Sequence, residues 1–366
     1  MPNIDTIRSN EKVLITGATG YVGFRLAKAL LRTGARLVLP VRAKDDEHLA
    51  QRRDELLAKL GQGSIEVIAC DIAKPEDVKR LPVDCTIIIH SAATTKFNVE
   101  ADVADRENRD ASISLFHLGR RSKQLKTFAY ISTVYAAGMT EGLVPEEILA
   151  RPEGFVNHYE RSKWETEHAL NTDFSDLPWT IMRVATVLAD NKTGEYSQMN
   201  AVHNTLKLLY YGLISTVPGD AAVPIYLVCG DFVEKGILAA LDSNDRHQVY
   251  HVCHEASESL TVESLMDIGY KAFLSDESFK KRGIQKPLLV DLESFAILAD
   301  GISGFGGAVL KDAVGSMVPF ARQLFIKKNF ENTRLRSVMP DYEAARFNEV
   351  LPQLINKMIE QKWKLN

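Results

Sequence analysis

Four cysteines in 366 residues, none in a C-x-x-C spacing, give no framework for a disulfide-stapled fold. Cys70, Cys85, Cys229 and Cys253 stand in apolar, strand-like contexts and are expected to be reduced core residues of a cytoplasmic protein. No run reaches the ~18 uninterrupted apolar residues of a membrane-spanning helix. The N-terminus shows no charged segment ahead of a long apolar core, so no signal peptide is expected. Neither sign of charge is in excess: 44 Lys and Arg against 48 Asp and Glu leave a net charge of -4, which excludes a nucleic-acid-binding polycation. A hydrophobic content of 45% excludes wholesale disorder. Internal repeats, low-complexity tracts and Pro/Gly/Ser-rich linkers are absent as well, so the chain should form one continuous body with a large core.

What the sequence does contain is a phosphate-binding turn in the right setting. Lys12-Val-Leu-Ile-Thr16 is a short β-rich run, Gly17-Ala-Thr-Gly20-Tyr-Val-Gly23 follows at once, and Tyr21 to Arg32 reads as a helix with Val22, Leu26, Ala29 and Leu30 on its apolar face. Gly17 permits the turn, Gly20 lets backbone approach a pyrophosphate, and Gly23 lets the helix pack on the strand. Thr19, Tyr21 and Val22 complete a loop whose N–H groups can meet anionic oxygens. Gly34 makes a helix stop. The spacing is G-x-x-G-x-x-G rather than G-x-G-x-x-G. The second strand, Ala35 to Val41, ends at Arg42, where a guanidinium suits the 2′-phosphate of NADP and a carboxylate would suit the 2′-hydroxyl of NAD. Arg52 and Arg53 lie on the next helix, opened by Asp45 and Asp46 as capping residues.

Strands and helices alternate onward through Ile65–Cys70, Thr86–His90, Thr127–Ser132 and Trp179–Val184, which predicts a parallel sheet covered on both faces. The loops after the strands should line one cleft: Asp71-Ile72 after the third, His90-Ser-Ala92-Ala93 after the fourth, Ser132-Thr133 after the fifth. Tyr159-Glu-Arg-Ser-Lys163 places a phenol and an ammonium four apart on a helix, close enough for the charge to lower the tyrosine pKa. Past Val184 the alternation degrades. Residues after about 255 read as helices without clear strands. The expected fold is α/β: a doubly wound parallel Rossmann sheet over residues 1–255, carrying part of the substrate region at about 190–230, and a smaller, mainly helical substrate-side subdomain over 256–366.

In this order, the glycine turn, Asp71-Ile72, Ser132-Thr133 and Tyr159-x-x-x-Lys163 resemble an extended short-chain dehydrogenase/reductase over roughly residues 12 to 255. Val41-Arg42-Ala-Lys, His90-Ser-Ala-Ala-Thr-Thr-Lys-Phe97, Tyr130-Ile-Ser-Thr-Val-Tyr135 and Tyr159-Glu-Arg-Ser-Lys-Trp-Glu165 are similar to its thioester-reductase and fatty acyl-CoA reductase branch, the male-sterility-type domains. Sugar-nucleotide epimerases and 3β-hydroxysteroid dehydrogenases share the glycine loop and the Tyr/Lys pair. The resemblance implies that Tyr159 donates a proton, Lys163 binds the nicotinamide ribose and tunes Tyr159, and Thr133 holds the substrate carbonyl, with Ser132 a competing candidate. Asn108 resembles the asparagine after the fourth strand. Relatives commonly carry Arg-Pro where this chain has Met182-Arg183-Val184.

The implied activity is NADPH-dependent reduction of an acyl thioester on coenzyme A or a carrier protein, to an aldehyde or, by a second reduction, an alcohol; it calls for NADP(H) and no metal. The alternative is a ketone, aldehyde or hydroxysteroid-like oxidoreductase, or a nucleotide-sugar epimerase, using the same residues. Apolar residues between Phe305 and Phe330 (Val309, Leu310, Val314, Met317, Val318, Phe320, Leu324, Phe325, Ile326) run into Lys327-Lys328. They are expected either to form a buried helix that lids the substrate cleft or to guide a lipid-like acyl chain or rest peripherally on a membrane surface, and in both cases to form part of a hydrophobic channel opening towards Tyr159.

Overall fold

The computed structural model describes residues 11–364, apart from residues 192, 197, 244 and 306. The elements run β1 (Lys12–Thr16), α1 (Tyr21–Arg32), β2 (Arg36–Val41), α2 (Asp46–Leu60), β3 (Ile65–Ala69), α3 (Pro75–Val78) and β4 (Ile87–His90). Then come α4 (Ala101–Ala104), α5 (Ala111–Arg121), β5 (Thr127–Thr133), β6 (Gly142–Val144), α6 (His158–Thr172) and β7 (Trp179–Val184). The next stretch holds β8 (Thr186–Val187), α7 (Ala201–Tyr211), β9 (Thr216–Pro218), β10 (Pro224–Ile225), β11 (Leu227–Val228), α8 (Gly230–Asp242) and β12 (Gln248–Val252). The rest comprises β13 (Leu260–Thr261), α9 (Val262–Phe273), α10 (Glu277–Arg282), β14 (Leu288–Val290), α11 (Leu292–Phe305), α12 (Ala308–Ala321), β15 (Lys328–Phe330), α13 (Thr333–Val338) and α14 (Phe347–Glu360).

Seven strands pair in parallel in the order β12-β7-β5-β4-β1-β2-β3. The chain walks outward from β1 to β3, then returns to set β4 on the other side of β1, and this reversal opens a crevice at the carboxyl ends of β1 and β4. Every residue of β4, β5 and β7 is buried, as expected of central parallel strands covered on both faces. The strand period of two sorts their side chains: Val13, Ile15, Leu37, Leu39, Ile87 and Ile89 join one core, and Leu14, Val38 and Ile88 join the core on the opposite face with Phe116 and Phe128. A third core gathers Leu206, Leu209, Phe273, Leu351, Leu354 and Trp363 from α7, α9 and the C-terminal end.

The expectation of no clear strands beyond about 255 needs correction. β13 pairs antiparallel with β10, β14 pairs parallel with β9, and β15 pairs parallel with β6. Each is two or three residues long, too short to carry an alternation that sequence periodicity could register. These ladders stitch the C-terminal helices to segments far upstream. Residues 1–10 and 365–366, which fall within the expected domain spans, lie outside the described residues.

Candidate active site

A cleft of about 530 Å³ follows the crevice at the switch point. Of the expected cofactor-binding residues, Gly17, Thr19, Gly20, Tyr21, Val22, Arg42, Ile72, Ala92, Ala93 and Lys163 line it. Gly23 and Asp71 are not among its lining residues. Gly23 packs under the turn, where an added Cβ would lie 2.3 Å from the Gly17 carbonyl oxygen, and Asp71 reaches Arg42 at 3.7 Å. Gly17 has φ +75°, and its added Cβ would lie 2.8 Å from the Ala92 backbone nitrogen. The two glycines therefore let β1, α1 and the loop after β4 converge. No side chain caps α1 at Gly20, which leaves first-turn N–H groups for an anion. This donor set fits the pyrophosphate of a dinucleotide.

At the end of β2 two guanidinium groups gather. Arg42 is exposed and pairs with Asp71 and, at 3.4 Å, with Glu107. Arg52 donates to the Arg42 carbonyl at 2.6 Å and to the Thr19 hydroxyl at 3.4 Å. The aspartate expected to cap α2 does so: the Asp45 carboxylate accepts from the His48 N–H at 2.8 Å.

Thr133, Tyr159 and Lys163 line the same cleft. Thr133 is the last residue of β5, and Asn157 caps α6 by accepting from the Glu160 N–H at 3.0 Å, which sets Tyr159 in the first helical turn. The Lys163 ammonium donates to the Ile131 carbonyl at 2.8 Å and to the Tyr130 hydroxyl at 3.2 Å, and it lies 4.5 Å over the Tyr130 ring. Burial pushes Lys163 down to about 7, and the Glu167 carboxylate opposes this. Burial pushes the Tyr159 phenol up to about 12, against a hydrogen bond with Thr133 that lowers it. The sequence expectation ran the other way, with Lys163 lowering Tyr159. Desolvation sets the direction, and Lys163 spends its donors on Ile131 and Tyr130 of β5 rather than on the phenol. The phenol is consequently protonated near neutral pH, the form a proton donor requires.

Ser132, the rival of Thr133, also lines the cleft, but its hydroxyl proton is engaged by a carboxylate. Its hydroxyl donates to Glu167 at 2.5 Å, and Glu167 in turn holds the fully buried Arg183 guanidinium at 2.6 Å. Arg183 also meets His251 at 3.1 Å, so β5, α6, β7 and β12 share one polar knot beneath the site. Val184, standing where relatives carry Pro, continues β7 in register with Thr133 and Val252. Asn108 is buried in a π-helical stretch, Asp105–Asp110, a geometry often found at functional sites. Its amide accepts from the Thr94 N–H at 2.9 Å and donates to the Thr94 carbonyl and to Ser162, tying the loop after β4 to α6. His90 is buried between the Thr16 and Ser112 hydroxyls, and burial pushes it down to about 3, so it holds the strand ends as a neutral ring.

Beside the cleft lies an apolar cavity of about 60 Å³, bounded by Leu206, Leu209, Met266, Phe273, Met317 and Leu324 among others. Cleft and cavity have Ala201, Val202 and Phe320 as common walls. Met317, Phe320 and Leu324 come from the apolar segment singled out in the sequence; the side chains of Val309 and Leu310 lie outside the described residues. Lys327-Lys328 is not a surface cluster, since Lys328 is buried and donates to Gln323. Among the described residues no helix is long and apolar enough to cross a membrane. Sequence reasoning missed Thr186, Asn200 and Val202, which line the cleft from the stretch where alternation fades, whereas Phe320 belongs to the apolar segment it expected near Tyr159. No local pattern marks the first three, because only the tertiary fold brings their stretch to the site.

Residues 15–237 match the family described as Male sterility protein, a group of NAD-binding domains. A putative fatty acyl-CoA reductase of Drosophila melanogaster is 27% identical over 275 residues, covering 62% of this chain and 50% of the relative. An isonitrile lipopeptide synthase of Streptomyces coeruleorubidus is 27% identical over 217 residues, covering 54% of this chain and 14% of the relative. The matched region thus spans half or less of each of these relatives. In fold, the terminal R domain of the myxalamid PKS-NRPS pathway aligns with a TM-score of 0.76 at 19% identity, over 97% of this chain and 92% of that one. With the glycine turn, the parallel sheet and a family match across residues 15–237, the chain belongs to the Male sterility protein family.

Proposed function

We propose that this chain is an oxidoreductase that reduces an acyl thioester, carried on coenzyme A or a carrier protein, with NADPH as reductant. The observation that carries the reading is the meeting of Thr133, Tyr159 and Lys163 in one cleft with the glycine turn, next to an apolar cavity suited to an alkyl chain and ill suited to a sugar. The relatives named as fatty acyl-CoA reductases support the substrate class. Residues 1–255, with the stretch at about 190–230, would hold the dinucleotide, and 256–366 would close the substrate side. Four buried free thiols suit a reducing compartment such as the cytoplasm.

When bound, the reduced nicotinamide would supply the hydride for the carbonyl carbon. Thr133 and Tyr159 orient the carbonyl and stabilise the developing oxyanion, and the protonated phenol of Tyr159 delivers its proton to that oxygen. Lys163 binds the nicotinamide ribose and, once charged by that contact, sustains the proton supply to Tyr159. Arg42, with Arg52 behind it, receives the 2′-phosphate. Collapse of the resulting hemithioacetal then breaks the carbon–sulfur bond and its hydroxyl proton goes to the leaving sulfur, so that one thioester, one reduced dinucleotide and one proton give one aldehyde, one thiol and one oxidised dinucleotide. Mass spectrometry of products after incubation with NADPH and a panel of acyl-CoAs tests the reading. An aldehyde or alcohol with free coenzyme A is the expected result; turnover of a nucleotide sugar in place of any thioester would overturn it.

A further inference from the structure

Phe320 sits in the wall of three cavities: the cleft holding Tyr159, the apolar cavity beside it, and a small void of about 20 Å³ beneath. Its ring stacks on Phe97 at 5.3 Å and 17°, and Tyr135 meets it edge-on at 5.5 Å. Phe97 then touches Tyr159 edge-on at 5.7 Å and Tyr135 at 5.9 Å. Phe320, with Ala201 and Val202, thus forms the partition between the cleft and the apolar cavity, and the Phe97, Tyr135 and Tyr159 rings back it from the cleft side. An acyl chain whose carbonyl rests at Thr133 and Tyr159 must cross this partition to reach the cavity.

The backbone behind the partition is tethered. Gln323, three residues after Phe320, donates to the Glu160 carboxylate at 2.8 Å and to the Gly138 carbonyl at 3.4 Å, while Lys328 donates to Gln323. Glu160 directly follows Tyr159, so the end of α12 is pinned to the helix that carries the proton donor. With the backbone held, rotation of the Phe320 side chain is the motion left to open a passage. The cavity behind it, about 60 Å³, holds only about four to six water-sized groups at roughly 10–15 Å³ each. A short alkyl tail fits as the rings stand. A longer one needs the partition displaced.

Resting on the reading of this site as a thioester reductase, we propose that Phe320, backed by Phe97, is the residue that sets which acyl-chain lengths the enzyme accepts. The test compares kcat/KM for dodecanoyl-CoA and butyryl-CoA with NADPH in the wild type, Phe320→Ala and Phe320→Trp. Each methylene newly buried adds roughly fourfold in affinity, so Phe320→Ala should raise the long-to-short ratio by at least about tenfold and Phe320→Trp should lower it. A ratio unmoved by both substitutions overturns the proposal. A second readout needs no turnover: dansyl-labelled undecanoic acid, titrated by fluorescence, should bind Phe320→Ala at least about tenfold more tightly than the wild type. If no thioester consumes NADPH, the proposed function fails, yet this titration still decides the partition, with equal affinities overturning it. Should Phe320→Ala fail to fold by circular dichroism, Phe320→Leu replaces it, with the same expectations in both assays.

Discussion

Replacing Gly23 by Ala pits two opposite effects against each other. In a helix interior the change should gain about 1 kcal/mol from propensity. Here the new methyl would stand 2.3 Å from the Gly17 carbonyl oxygen and 2.7 Å from its carbonyl carbon, where ordinary contact needs ~3.5–4 Å. Both atoms are backbone and cannot swing aside. Gly17 has no slack either, since it already abuts Ala92. Overpacking of this kind costs roughly 1–3 kcal/mol, and rigid partners put it at the upper end, leaving a net loss of about 2 kcal/mol. The displaced turn should also forfeit at least one N–H contact to the pyrophosphate, worth ~1.5–3 kcal/mol when the partner is charged, so NADPH affinity should fall more than about tenfold. Urea unfolding and fluorescence titration with NADPH measure the two effects. Gly20→Ala is the control: its methyl would meet only the Gly17 oxygen, at 3.3 Å, so stability should change by less than about 1 kcal/mol. A Gly23→Ala protein as stable as the wild type, with undiminished NADPH affinity, would refute the packing account of the turn.

Arg42→Ala should narrow the preference for NADPH over NADH by roughly 1.5–3 kcal/mol, and an unaltered ratio in competition titrations would contradict the assignment. Glu167→Ala strands the buried Arg183 guanidinium and should cost roughly 3–5 kcal/mol in urea unfolding, whereas Glu167→Leu combined with Arg183→Met should recover most of that; equal losses would show that the ion pair is not the cause. Lys163 predicts a pH effect on the cofactor-free protein. Its folded pKa is depressed to about 7, so between that value and the unfolded ~10.4 the unfolded chain binds the extra proton, and stability rises with pH across the window. Lys163→Met should flatten the profile; parallel profiles for the two proteins would count against the depressed ammonium.

The first half of the molecule was legible because its signals are local. A buried parallel strand is an apolar run, and an amphipathic helix carries its own period, so β1, α1 and β7 follow the sequence reading from end to end. The glycine turn was legible for the same reason, since φ +75° at Gly17 needs that residue type. The direction of the Tyr159 shift was not. It depends on how much water the finished fold removes from Lys163 and Tyr159, a quantity absent from a four-residue spacing. Asn200 and Val202 were hidden too, because their place at the cleft is set by α7 folding back from a distant segment.

The central claim is that Tyr159 protonates a thioester-derived oxygen in a cleft that binds NADPH independently of that phenol. Single-turnover reduction of an acyl-CoA, followed by loss of reduced-cofactor absorbance in wild type and Tyr159→Phe, tests it directly. The account predicts a rate lower by ~10²–10⁴-fold with an NADPH dissociation constant nearly unchanged. A variant that reduces the thioester at close to the wild-type rate would contradict it.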